Sequence, residues 1–367
     1  MRFRFTGECL INDESSKNPY VRTGKTEKGN KYEAFSCGLK SAKNNAAWLE
    51  LFGMESDKIK TMDANKNKIE IDWEDRFDDD VINQVANFKK NVININDERK
   101  EFVSSYDAVQ YLVNNVDKMK GQRITITGQV NKNVYKGNFS DRFQIQNIYL
   151  AGEEDKNKFT CNDIFYFNKD SFDTADWREL KKLYINGWIN TYISEEKKNM
   201  YVPQTLIFDC SKIDWDNEKH RKLVEFKLKV LKCSLTDDNK IKIGTGKNIY
   251  SMAVIATYNN GAEAEEIKEE DLTDAQKEAI ELGLKKMSDF EGNVYGKRVT
   301  EFKLVDYNLT DDYANGCIDT EISMSELEEE LFNPKKEETL EEVMEKTSKA
   351  DETLDEDDED DDEDLFD

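Results

Sequence analysis

Short runs in which apolar and polar side chains alternate recur along most of the chain, parted by turns of Gly, Asn and Asp with only three prolines. Alternation puts successive side chains on opposite faces of a strand, so the pattern predicts a mainly β protein with a few helices. The opening MRFRFTGECL sets Phe3 and Phe5 against Arg2 and Arg4. YVRTGKTEKGNKYEAFSCGLK (20–40) reads as two extended runs about a Lys/Gly turn, with NNAAWLELFG (44–53), DKIKTMD and NKIEIDW after it. Five short strands within about 80 residues predict a small barrel or sandwich over 1–100. At 103–118 the period changes. Val109, Leu112, Val113 and Val116 fall on one helical face, expected to lie across the base of the next β region.

Residues 121–215 carry the clearest order. RITITGQV (123–130) alternates, while RFQIQNIYLA (142–151) starts with Phe143 and Ile145 inward and then changes phase to Ile148 and Leu150. A one-residue change of phase is what a β-bulge produces, and bulges bend a short sheet round on itself. NKFTCNDIFYFN (157–168) is a third strand, DTADWRELKKLY (173–184) a short helix, and YINGWINTYI (184–193) and YVPQTLIFD (201–209) two more strands. Three strands, a helix and two strands is the order of an OB-fold, a five-stranded Greek-key barrel; another small β-barrel with a helix is the alternative. Over 216–310, strands are expected at 224–233 and 248–259, a helix at about 274–288 and β structure again at 293–309. That is compatible with a further OB-like unit. SMSE (323–326) matches a capping box for one short helix, and past Pro334 no order is expected. The expected organisation is thus multiple OB-like β-barrel domains over 1–100, 101–215 and 216–310. An acidic tail over 311–367 comes last, disordered from about 334.

Charge changes the picture. The formal charge of −25 speaks at first against nucleic acid, yet residues 311–367 hold 26 acidic and 4 basic residues, leaving 1–310 at a net −3. A near-neutral body dense in lysine can still present a cationic groove. The last stretch, DETLDEDDEDDDEDLFD (351–367), buries nothing alone and reads as a solvated polyanion with an apolar tip at Leu365 and Phe366.

Six scattered cysteines without CxxC spacing read as reduced, buried thiols of a cytoplasmic protein. His220, the one histidine, sits in a charged run and reads as a surface residue, so neither a metal site nor histidine catalysis has a carrier. No export signal or membrane-spanning run is read, and no cofactor is expected. Enzyme signatures are weak. GTGKN (244–248) lacks the spacing of a phosphate loop, and the carboxylates of EIDWED (70–75) fit one exposed strand edge as well as a metal site.

Single strands are held by aromatic rings that stack on bases and cations that track phosphates. On 184–193, Ile185, Gly187, Ile189 and Ile193 form the inward set, which leaves Trp188 and Tyr192 in phase with Asn186 and Asn190 on the other face. Tyr135, Lys136, Phe139 and Arg142 surround a Gly-containing loop between the first two strands of 101–215. Arg22, Lys25, Lys28 and Lys31 cluster at one turn, with Tyr32 and Phe35 on the strand after it. These twelve are the candidate DNA contacts, and Leu365 and Phe366 the candidate partner contacts.

Acidic C-termini ending near an aromatic residue resemble those of bacterial and phage single-stranded-DNA-binding proteins, and the body is similar to divergent OB-fold versions encoded by large bacteriophages. The tail and the 121–215 pattern carry the resemblance. It implies a non-enzymatic, sequence-independent single-stranded-DNA-binding protein of replication, recombination or repair, acting in the cytoplasm (the host's, for a phage chain). Its tail would compete with DNA and recruit replication and recombination proteins. The chain departs from the family pattern where Asp367 follows Phe366, so the terminal aromatic carboxylate is missing. The other readings are a β-rich assembly protein with a DNA-mimicking tail, and a nucleic-acid enzyme with carboxylate-bound metal.

Overall fold

The computed structural model describes residues 1–95, 98–135, 138–193, 196–244, 246, 248–264, 273–282, 295–308, 313 and 316–334. The chain is mainly β, and its strands close two rings of the same order. In the first, β1 (Arg2–Leu10), β3 (Lys31–Ala42) and β4 (Asn45–Met54) pair antiparallel in sequence order, with β2 (Val21–Lys25) along the edge of β3. Helix α1 (Ser105–Asn114) comes next, then β5 (Arg123–Tyr135) and β6 (Asn138–Leu150). β5 returns antiparallel to β1, and β6 pairs with β5 and runs parallel to β4, which closes a five-stranded ring.

The second ring repeats this. β7 (Lys158–Phe167), β8 (Lys182–Ile193) and β9 (Lys198–Asp209) precede helix α2 (Glu218–Val230), and β10 (Tyr250–Ala264) and β11 (Tyr295–Tyr307) come after it. β10 pairs with β7, β11 with β10, and β11 again closes on the third strand in parallel, through Ile207 and Lys303. Each ring is a Greek-key barrel with a helix between its third and fourth strands, the OB arrangement.

The expected divisions at residues 100 and 215 therefore fall inside the two rings, because β5 and β6 complete the first and β10 and β11 the second. Residues 157–209 do supply three barrel strands, but they are the first three of the second ring. The first strands of the two rings, β1 and β7, pair antiparallel from Arg2 with Asn162 to Thr6 with Lys158. The Met1 amino group adds a 3.2 Å ion pair to Asp163 across this seam. Beneath it the rings of Phe3, Phe5, Phe143, Phe159, Tyr258 and Phe302 form one chain of contacts at 4.6–5.6 Å, so the two barrels share a single core.

Local sequence explains the elements. Ser104 caps α1 by accepting from the Tyr106 amide, and Ala108, Val109 and Leu112 are buried under the first barrel. Gly53 lets the helix approach, since a Cβ there would lie 2.3 Å from the Tyr106 backbone. The bulge in β6 falls between Ile145 and Asn147; it keeps Phe143, Ile145 and Ile148 inside but turns Leu150 outward, against expectation.

Residues 224–233, expected as a strand, lie mostly in α2. Val224, Phe226, Leu228 and Val230 alternate like a strand, but Val224, Leu228 and Leu231 also recur at helical spacing and are buried, with Phe226 left exposed. Residues 316–334, expected within the tail, pack on the second barrel instead. There Ser323 and Glu326 form the expected capping box of α3 (Met324–Glu329). The acidic stretch beyond residue 334, with Leu365 and Phe366, lies outside the described residues.

Candidate nucleic-acid interface

On β4 the odd positions Ala47, Leu49 and Leu51 fill the first barrel, which turns Trp48, Glu50, Phe52 and Met54 outward. Trp48 is 47% and Phe52 38% exposed, unusual for large rings in mid-strand. Cross-strand pairing sets Trp48 opposite Gly38 and Phe52 opposite Ala34. A Cβ at Gly38 would lie 3.3 Å from the Trp48 ring, so the missing side chain lets the indole lie low over β3. Tyr32 makes the same use of Gly24, where a Cβ would come within 2.8 Å of the phenol ring. Tyr32 then stacks on Phe52 at 5.5 Å between centroids and 29° between planes. Small neighbours under large rings give a low aromatic shelf, the surface that stacking of bases requires.

Cations flank the shelf. Arg22 on β2 and Arg142 on β6 both reach the Glu50 carboxylate between them, and each arginine side chain stays more than half exposed. One carboxylate shared by two guanidiniums leaves a net positive trio with spare N–H donors. A groove of about 250 Å³ opens here, lined by Phe52, Asn131, Lys132, Arg142 and Gln144 among others. Asn131 donates to Gln144 at 2.8 Å and also lines the next cavity, about 630 Å³ at the seam of the barrels, with Arg2, Gln129, Asn190, Asn199 and Tyr192. Aromatic shelf, arginine pair and amide-lined seam thus form one continuous surface ending at Tyr192, which is 57% exposed.

Of the residues expected from sequence, Arg22, Tyr32, Arg142 and Tyr192 come together on this surface. Lys25, Lys28 and Lys31 project from the β2–β3 hairpin at its end, with Lys31 3.6 Å from Glu55. Phe35 is a correction. It sits on the inward phase of β3, fully buried and edge-on to Tyr20. Phe139 is half-buried and packs at 6.0 Å against Phe332. Tyr135 ends β5, and its side chain and Lys136 lie outside the described residues.

Trp188 faces outward on β8 as expected but is covered. Ile322, Met324, Leu327 and Leu331 pack with it, Tyr166 and Tyr201 in a small separate core. The covering chain is pinned by hydrogen bonds from Tyr201 N–H to the Glu330 carbonyl and from Phe332 N–H to the Tyr201 carbonyl, at 3.0 and 2.9 Å. Burial, and after it the neighbouring Tyr201, pushes the Tyr166 hydroxyl up to about 12.

The shelf residues Trp48 and Phe52 were missed from sequence. Their signal was present: in WLELFGM they share the outward phase with Glu50.

No family model and no curated protein matches the chain. Two solved structures of the single-stranded DNA binding protein from Thermus aquaticus are similar to it, each at 8% identity over 71% of this chain. A deletion mutant is covered over 86% of its own chain at a TM-score of 0.27, and the wild type over 84% at 0.24. Both likenesses are too distant for the function of one chain to be read from the other. Among the described residues no helix is long and apolar enough to cross a membrane.

Proposed function

We propose that the chain is a non-enzymatic protein that binds single-stranded DNA without sequence preference, along the outer face of β3 and β4 and across the seam to Tyr192. The observation that carries this is the shelf of Trp48, Phe52 and Tyr32 on strands two and three of an OB barrel, with Trp48 and Tyr32 held low over glycines and Arg22 and Arg142 alongside. Those strands are where such barrels take oligonucleotides, and rings beside cations bind single strands through any base. Replication, recombination or repair is the setting this activity fits, with proteins of those processes as partners of the tail.

The acidic tail is read as a tethered competitor for the cationic groove. Its last described residues support this only in placing the start of the segment at β6, since Phe332 packs on Phe139 on the inward phase of the strand whose outer face carries Arg142. A polyanion starting there reaches the groove at high effective concentration.

The test is a tryptophan-fluorescence titration with single-stranded DNA at low and moderate salt, on the full chain and on a chain ending at Pro334. The shortened chain is expected to bind more tightly, and both affinities to fall as salt rises. If neither chain binds any single strand at low salt, the reading is wrong, and a β-rich assembly role takes its place.

A further inference from the structure

The seam between the barrels is a different kind of surface from the shelf. Its cavity of about 630 Å³ falls within the range of about 300–1,000 Å³ usual for ligand pockets. Six carboxamides line it: Gln129, Asn131, Asn162, Asn190, Asn199 and Asn308. Charge is nearly absent. Among the described lining residues the charged side chains are Arg2 and Asp163, and the Met1 amino group pairs with Asp163.

Strand register gathers these side chains. Gln144 on β6 stands opposite Gln129 on β5, Gln129 opposite Arg2 on β1, and Arg2 opposite Asn162 on β7. At a strand spacing of about 4.8 Å, these four exposed side chains make one row from the arginine groove onto the second barrel. On the far side Asn199 stands opposite Tyr192 across β8 and β9. Two of the six amides are engaged: Asn131 donates to Gln144 at 2.8 Å, and Asn190 bonds to the Tyr201 hydroxyl. The carboxamides of Gln129, Asn162, Asn199 and Asn308 have no hydrogen-bond partner among the described residues, and Arg2 has no ion pair among them. Neutral donors and acceptors, unspent and gathered in one pocket, suit a neutral polar group; they cannot offset a phosphate charge as Arg22 and Arg142 can. The edge of a nucleobase is such a group, and Asn131 lines both this pocket and the groove before it. Each of the four bases carries a donor beside an acceptor on its pairing edge. A carboxamide carries the matching pair and can turn over to suit either order, so it holds any base.

We infer that the seam pocket takes nucleobases by their hydrogen-bonding edges, with Gln129, Asn162 and Asn199 as donors and acceptors, Arg2 on the adjoining phosphate and Tyr192 against the base face. The inference rests on the proposed single-strand binding and deepens it. One strand is then held in two ways. On the shelf its bases are gripped by their faces, with their edges unread; at the seam they are gripped by their edges.

The probes are fluorophore-labelled oligo(dT) and the same oligonucleotide with difluorotoluene in place of every thymine, titrated by anisotropy into the full chain at low salt. Difluorotoluene keeps the ring and outline of thymine but lacks its carbonyls and N–H. Oligo(dT) should bind about ten-fold more tightly, the scale of one or two neutral hydrogen bonds. Gln129→Ala/Asn199→Ala should bring the two affinities to within about two-fold by weakening oligo(dT) alone. Both residues are exposed and their side chains bond no described residue, so a melting curve should show the fold unchanged. Trp48→Ala should weaken both oligonucleotides alike and leave their ratio standing. Equal binding of the two by the parent chain overturns the inference, and so does a ratio that survives Gln129→Ala/Asn199→Ala. In both cases the proposed function stands, because DNA still binds. Binding of neither oligonucleotide overturns the proposed function and the inference together.

Discussion

The two barrels have the same strand order, the same helix position and the same parallel closure, yet the outer faces of their second and third strands have opposite fates. On the first barrel that face is open and cationic, with Trp48, Phe52 and Tyr32 beside Arg22 and Arg142. On the second, the equivalent strands β8 and β9 also turn aromatics outward, Trp188 and Tyr201, but residues 318–332 lie over them. The difference is in the neighbours of the rings. The outward positions beside Trp188 and Tyr201 are Asn186, Asn190, Asn199, Pro203 and Thr205, with no Arg or Lys among them. Rings without cations suit a dry contact with an apolar segment; rings with cations suit bases and phosphates. The fold supplies the platform twice, and the side chains decide what it holds.

The largest expected effect breaks the comparison at its open side. Trp48→Ala/Phe52→Ala removes two stacking rings, each worth about 1–3 kcal/mol, so affinity for single-stranded DNA should fall by roughly 30-fold or more. Thermal stability should hardly change, because both rings are substantially exposed. Fluorescence titration beside a melting curve separates the two effects. Unchanged affinity would remove the shelf from the interface.

The next effect is on the covered side. Leu327 is fully buried between α3 and the second barrel, and Leu327→Ala should cost about 2–3 kcal/mol, at the low end for a core leucine because the cluster is small. Loosening the segment should shift Trp188 emission to the red. No gain in DNA affinity is expected, since the rings thus uncovered have no cations beside them. A gain would show that the second barrel is a latent copy of the first and not a docking face.

Much of this was legible from the chain. Alternation identified the strands, the inward set of β8, the bulge in β6 and the capping box of α3, because each is set by residues close in sequence. Strand partners were not legible. A period of two shows which side chains share a face but not which strand lies alongside, so β5 and β6 read as the start of a barrel when they complete one. The parallel contacts of β4 with β6 and of β9 with β11 are non-local and leave no local mark. Phe35 and Trp48 were misjudged together, because an aromatic next to lysines draws attention that an aromatic next to leucines does not. Only the phase of each strand against its neighbours separates the buried ring from the exposed one.

The closing seams give the finest comparison. Both barrels seal their third strand to their fifth with a charged contact: Glu50 to Arg142 in the first, Asp209 to Lys303 at 3.0 Å in the second. In the first pair Arg142 is 52% exposed on the groove, whereas Asp209 and Lys303 are each less than a fifth exposed. Burial pushes the Asp209 carboxyl up, but hydrogen bonds from Ser211 and Lys303 outweigh it and hold the group below its ordinary value. A carboxyl lowered in the folded state stabilises the fold above its unfolded value of about 3.9 and loses that contribution as pH falls through the folded value. Asp209→Asn should therefore cost about 1–2 kcal/mol at pH 7, between the exposed and buried limits for an ion pair, because Lys303 keeps Glu301 at 3.0 Å. Urea unfolding of parent and variant at pH 7 and pH 3 checks the sign: the gap should narrow in acid. A gap of equal size at both pH values would mean that the second seam is held by shape and not by charge.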